Sequence, residues 1–544
     1  MAGLRPAAGA ALVAALTILG GGIVPAARFH AQAAASDTLI FGSTEEPDTL
    51  NPLITTLTVG ADVDAAVYDA LLVADTSNHP QPQLATSYSS SPDGRTWVFH
   101  LRHGVRWADG QPLTSADVAF TYHAILNKKN NISSTQGFDQ IDQFSTPDPY
   151  TVRMHIKQTY APFLTYVAYQ SIMPRHLYSK PGVDFNKASY NRTPIGTGPY
   201  MVTEWKTADH ITLVPNPYSW RGQPFFKKIV YKIVPNPLTL LVQLHTGDVD
   251  MTGGGGTIGP AQYAEARAIA GKRLISSDAN SWKHINLTQW GFLREDVVRQ
   301  ALDYATPKEA ILKGIVKGLG MPAYADIDPA IKDFYNPNLP RHPFSLARAA
   351  ALLRADGFAA GPDGVLQKGG RPFEMELWAQ SSDDIGQRID SVLKTEWARI
   401  GIRVTLRTEG TVAFFGPGGP SYTKGMNGVT FAWSNSNDVD DSYFWNSSQI
   451  PTSPTGSGGN QVSYFYKFGF QKQLDSLTNA GLTTIDTGKR RAIYFQIQRI
   501  LADKVPVIFL YWQQQFSVIP DNMAGFMPTP FSKAFWNVAQ WKRG

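Results

Sequence analysis

A chain of 544 residues exceeds the size at which one hydrophobic core keeps growing, so two or three folding units are expected. With 43% hydrophobic and 17% charged residues the composition is that of a packed globular protein, which excludes bulk disorder. No cysteine is present, which excludes disulfides, thiolate catalysis, Cys-ligated zinc and iron–sulfur clusters. The Lys and Arg behind the net charge of +5 form no run of four or more, so the charge describes a solubilising surface and offers no clustered basic face to nucleic acid.

The N-terminus reads as an address. Arg5 precedes a small and apolar run from Ala7 to Val24, Pro25 breaks it, and Ala31-Gln32-Ala33 supplies the small-x-small pattern that signal peptidase reads. Residues 1–33 are therefore expected to be a cleaved signal peptide, with an uncleaved anchor as the other reading because the run approaches spanning length. Cleavage removes Arg5 and Arg28 and no acid, so +5 becomes +3. Without a thiol no lipid can be attached at the cleavage site. The expected location is exported, periplasmic or cell-surface associated, and not that of a Cys-anchored lipoprotein.

Along the rest of the chain, the turn signal Asp93-Gly94 precedes Trp97–Arg102, whose two-residue alternation predicts a half-buried strand. Thr114 and Asp117 form a capping-box pattern ahead of Val118, Tyr122, Ile125 and Leu126 at helical spacing. Ile211 and Leu213, then Ile229, Tyr231 and Ile233, predict two strands separated by Asn216-Pro217 and Gly222. Ser345 starts a helix that buries Leu346, Ala350 and Leu353 and closes at Gly357. Ile389, Val392, Leu393, Trp397 and Ile400 share a helical face capped by Gly401, and Ile402, Val404 and Leu406 follow as a strand. Pro451 to Asn460 reads as one exposed loop. The alternation predicts mixed α/β architecture.

No G-x-S-x-G elbow, H-E-x-x-H or P-loop occurs. The run Gly253–Gly256 lacks the Gly-Lys-Ser/Thr that would hold a phosphate and reads as a flexible turn at a cleft edge. His100 and His103, three apart on a strand, point to opposite faces, and the other histidines are isolated, so neither a metal nor a cofactor is expected. The acidic cluster Asp438, Asp440 and Asp441, after Trp433 and before Tyr443 and Trp445, is more specific. A calcium loop would need a closing Glu, and a glycosidase pair needs carboxylates on opposite sides of a sugar. A ligand anchor and an Asx-rich turn that caps a helix remain open.

Several stretches together resemble the dipeptide- and oligopeptide-binding proteins of ABC importers, the bacterial extracellular solute-binding protein family 5. They are Glu46–Pro52, Val67–Leu71, Pro82–Ala85, Ser91–Gly94 through Phe99–Trp107 to Asp117-Val118, Gly196–Tyr200, Asp296–Leu302 with its central Arg299, and Ile508–Trp512. They run in the family's order. The resemblance implies a two-lobed periplasmic-binding-protein fold of the cluster C type with an extra inserted domain. The first lobe would hold residues 38–80, 190–285 and 512–544, the inserted domain 81–189 and the second lobe 286–511. Hinge crossings are expected near Asn286-Leu287 and Tyr511-Trp512.

The resemblance also implies a binding role without catalysis. A monomer would close on a peptide or similar small ligand and be read by ABC permease subunits, with no nucleic-acid partner. Trp433, Ser436, Asp438, Asp440, Tyr511 and Trp512 are the expected cleft residues. One departure matters. Peptide binders of the family carry an Asp three residues after the Trp matched by Trp433, where it pairs with the ligand's α-ammonium, a charge-assisted bond worth ~1.5–3 kcal/mol. This chain has Ser436 there. Either Asp438 takes over the anchoring, or the ligand is an oligosaccharide, a capped peptide or a metal chelate. A secreted hydrolase using the Asp cluster is the alternative from a different class.

Overall fold

The computed structural model describes residues 37–456 and 458–544, so the signal-peptide expectation for residues 1–33 lies outside the described residues. One large mixed sheet organises the chain. Its order is Arg403–Glu409, Glu374–Gln380, Asn427–Ser434, Lys272–Leu287, Val507–Pro520, Met251–Thr252, Thr38–Ser43, Lys228–Ile233, His210–Pro215 and Tyr200–Lys206, with Gly320–Pro322 also paired to Val507–Pro520. A separate four-stranded antiparallel sheet, Ala85–Ser90, Thr96–Leu101, Thr151–Ile156 and Ile141–Asp148, carries the helix Ser115–Leu126.

Two strands hold the large sheet together, Lys272–Leu287 with 16 residues and Val507–Pro520 with 14. They pair antiparallel from Lys272 opposite Pro520 to Asp278 opposite Gln514, lose register, and resume at Trp282 opposite Trp512. Asn280, at φ 48°, sits in that break. Beyond it Ser281–Leu287 gain a second neighbour, Gly428–Ser434. Register therefore shifts at Asp278–Trp282, opposite Trp512–Gln514, and again between Lys283 and His284, opposite Tyr511 and Phe509. Asn286 and Leu287, expected as a crossing, are regularly paired with Val429 and Gly428.

The buried apolar residues fall on both sides of this seam. One core gathers Leu39, Phe41, Tyr231 and Trp541 with Phe99 and Met154 of the small sheet. Another gathers Ile285, Leu302, Leu353, Leu393, Trp397 and Leu510. A third, rich in aromatics, holds Trp282, Trp445, Tyr494, Phe509 and Trp512. Arg299, fully buried, fastens its helix Asp296–Tyr304 to the start of the long return strand by donating to the carbonyls of Val505 (2.9 Å) and Lys504 (3.2 Å).

Local signals were followed closely. The strand Thr96–Leu101 forms, and Thr114 and Asp117 make the reciprocal capping box. Ile211 pairs with Tyr231 and Leu213 with Ile229. Ser345 caps the helix Leu346–Ala355 through the Arg348 amide, but the buried face is Ala349 and Leu353, and Leu346 and Ala350 stay half-exposed. Pro451–Asn460 is not an exposed loop throughout. Pro451, Gly459 and Asn460 are buried, because the Tyr443 ring packs on Gly459 and the Asn460 amide donates to the Asn446 carbonyl at 3.2 Å. Among the described residues no helix is long and apolar enough to cross a membrane.

Candidate functional site

The helix Thr58–Val67 forms one wall of a cleft, and the glycine turn Gly196–Gly198 fixes its end. The Gly198 amide donates to the Val67 carbonyl at 2.8 Å. A Cβ on Gly196 would lie 1.8 Å from that same oxygen, so only glycine permits the approach. The helix presents two buried carboxylates, Asp62 and Asp64. Asp62 accepts the amides of Gly255 (2.9 Å) and Ala534 (2.7 Å). Burial raises its pKa, and those amides and the charge of Lys533 oppose the rise. The run Gly253–Gly256 is thus no loose turn: a Cβ on Gly254 would stand 2.4 Å from the Asp62 carboxylate.

The facing wall is the register break. Ser281 donates to the Trp433 carbonyl (2.8 Å) and to the Gln513 side chain (2.7 Å), tying three strands together. Asn280 donates to the Ser436 carbonyl at 2.9 Å and accepts, through its own carbonyl, the Asn435 amide at 2.9 Å. Between the walls lie two cavities that share Asn437, Pro530, Ser532 and Lys533. The larger, about 570 Å³, is lined mostly by neutral polar groups, among them Asn280, Asn435, Ser436 and Gln513–Gln515, with Asp62 and Lys533 as its charged members. The smaller, about 330 Å³, is lined by Asp64, Tyr68, Tyr169, Ser171 and Trp536. The cleft is bridged: Asn78 donates to the Asn437 carbonyl at 2.6 Å, Ser436 and Tyr166 share a hydrogen bond of 3.0 Å, and the Ala161 amide donates to Leu482 at 2.7 Å.

Of the six residues singled out from the sequence, Ser436 lines the larger cavity, and its hydroxyl donates to the Asp438 carbonyl at 2.9 Å. Asp438 lines neither cavity. Its carboxylate is held by Arg490 in a buried two-point pair, 2.9 and 2.5 Å, so it has no free charge to offer a cationic group. Burial works against the Arg490 charge, and Asp438 overcomes it, holding the guanidinium pKa above its usual value. Asp440 accepts the Ser442 amide at 3.0 Å, a local turn bond, and burial raises its pKa. Trp433 is half-buried, edge-on to Phe431 and Tyr443. Tyr511 and Trp512, 1% and 3% exposed, sit in cores on either side of the sheet and line neither cavity. The next three residues, Gln513–Gln515, reach the cleft instead.

Asp441 and Asp326 form a buried acid pair behind this wall. Burial, then Asp326, pushes the Asp441 pKa well up, and burial pushes Asp326 up to about 6 while the Trp445 indole donates to it at 2.6 Å. Among the described residues no group of His, Asp or Glu is placed to hold a metal ion. Asp62, Asp64, Lys533 and Asn437 were not anticipated. Their signal was a pair of acids two apart in an otherwise apolar helix, and three consecutive glutamines inside an apolar strand was the signal for the cavity floor.

Residues 79–454 match the model of the bacterial extracellular solute-binding proteins, family 5. The chain is 28% identical over 505 residues to protein XP55 of Streptomyces lividans, covering 90% of this chain and 86% of that one. It is 26% identical to the oligopeptide-binding protein AppA of Bacillus subtilis, covering 92% and 91%. The structure of AppA in complex with a nonapeptide superposes with a TM-score of 0.75 at 24% identity over 94% of this chain and 99% of that one. NikA from Brucella suis in complex with Fe(III)-EDTA gives 0.80 at 21% over 93% and 100%. At such identities the structural likeness speaks for the fold, two lobes around a cleft.

Proposed function

The chain belongs to the bacterial extracellular solute-binding proteins, family 5, and from that premise we propose that it captures a peptide between two hinged lobes and delivers it to the permease subunits of an ABC importer. The observation that carries this reading is the larger cavity. Its lining of Asn, Gln, Ser and Thr side chains, beside Asp62 and Lys533, offers donors and acceptors suited to a peptide backbone. The hinge is assigned to the register break at Asp278–Trp282 and Gln513, because a ladder without regular pairing is where two packed bodies can rotate. Bonds such as Tyr166–Ser436 then hold the closed form, which a permease would distinguish from the open one.

The protein acts, in this reading, as a monomer outside the cytoplasm, without lipid and without catalysis. The neutral hydroxyl and amide lining also favours an oligosaccharide as second reading. Native mass spectrometry of the protein as purified decides between them. A ladder of amino-acid residue masses is expected; a hexose ladder would overturn the peptide, and turnover of either ligand class would overturn the binding role.

A further inference from the structure

Asp64 is the carboxylate in the cleft with nothing to hold. It is 2% exposed, it lines the smaller cavity, and neither Oδ1 nor Oδ2 has a hydrogen-bond partner. Asp62, the other acid lining the cleft, has a backbone amide on each oxygen. The polar groups around Asp64 are spent. The Gln83 side chain accepts the Ala70 amide at 2.7 Å, Asn437 donates to the Phe531 carbonyl at 2.5 Å, and the Tyr68 hydroxyl is engaged with that of Tyr178. Burial, and then the charge of another acid, Asp48, drive the Asp64 pKa well up. Lys533 lines both cavities, but its charge acts on Asp62.

A buried carboxyl without donors costs stability, and folded proteins satisfy such groups almost without exception. An ammonium brings three donors and a guanidinium five, and either would turn that cost into a charge-assisted bond. The cavity of about 330 Å³ has room for one such end group and its stem. We propose that Asp64 is the anchor for a primary ammonium or guanidinium group of the captured solute. The inference rests on the peptide reading above and narrows it. The charge contact that Ser436 cannot make from one wall of the cleft is made from the helix on the other.

Two probes test it by titration calorimetry at neutral pH: Lys-Ala-Ala, which carries ammonium groups, and N-acetyl-Ala-Ala-Ala, which carries none. Wild type should bind Lys-Ala-Ala at least about tenfold more tightly than the acetylated probe. Asp64→Asn should remove that preference by weakening Lys-Ala-Ala alone, and unchanged affinity for the acetylated probe reports an intact site. Asp64→Ser, smaller and equally uncharged, should lose the preference in the same way. Retention of the preference by both variants would overturn the anchor while leaving peptide binding in place, as would equal affinity of wild type for both probes. Failure of wild type to bind either probe would overturn the peptide reading and the anchor with it.

Discussion

Asp438–Asp441 and Asp62–Asp64 are both short acidic runs set among apolar residues, and both end up buried, yet they serve opposite purposes. The first is closed on itself. Asp438 is neutralised by Arg490 from the helix Thr487–Lys504, and Asp441, with neither oxygen hydrogen-bonded, is set against Asp326 away from the two cavities. The second belongs to the cleft, where Asp62 holds the loop Gly253–Gly256 and Asp64 has no partner. Whether a buried acid is scaffold or site depends on which donor the fold brings to it.

The sharpest way to break this comparison is to strip the closed cluster of its cation. Arg490→Met leaves Asp438 buried and unpaired, and also removes the bond from Arg490 to the Gly481 carbonyl (2.9 Å). A loss of ~3–5 kcal/mol is expected in urea unfolding, the usual cost of breaking a buried pair from one side. A loss below ~1 kcal/mol would mean that Asp438 reaches water and that the cluster is not closed.

A smaller effect, set by pH, separates the two members of the closed cluster. Burial raises Asp326 from 3.8 to about 6 in the folded state. The folded state therefore holds its proton more tightly than the unfolded state does. That contribution is complete below about pH 4 and is lost as pH rises through about 6. Asp326→Asn cannot ionise, so it should match wild type near pH 4 and exceed it by ~1–3 kcal/mol at pH 8. Equal pH profiles for the two proteins, followed by urea unfolding, would show that the Asp326–Asp441 pair is not the strained acid pair described here.

What the sequence disclosed, and what it withheld, follows from the range of the interactions. Thr114 and Asp117 cap each other across three residues, and Ile211 and Tyr231 announce their strands by simple alternation, so both were legible. Asp438 was not, because Arg490 lies 52 residues further along and nothing local announces the pairing. Tyr511 and Trp512 looked like cleft aromatics because rings suit ligands. Their strand is covered on both faces, so successive side chains enter two different cores. Ser436 stood out as a departure from the family's pattern, but the sequence around it could not disclose an acid on the opposite wall. That contact is made only when helix Thr58–Val67 and residues 530–536 meet over one cavity.

The smallest expected effect is also the one that most directly sharpens the contrast. In ligand-free protein Asp64 makes no bond that Asn would lose, and its burial beside Asp48 disfavours the charged form. Asp64→Asn should therefore match wild type in thermal unfolding below about pH 4 and exceed it at pH 8, where the ionised form is penalised in the native state alone. Residues kept for binding commonly carry such a cost, and their removal stabilises the empty protein. A drop in stability of ~1 kcal/mol or more would assign Asp64 to the scaffold, together with Asp438, and the difference between the two acidic runs would vanish.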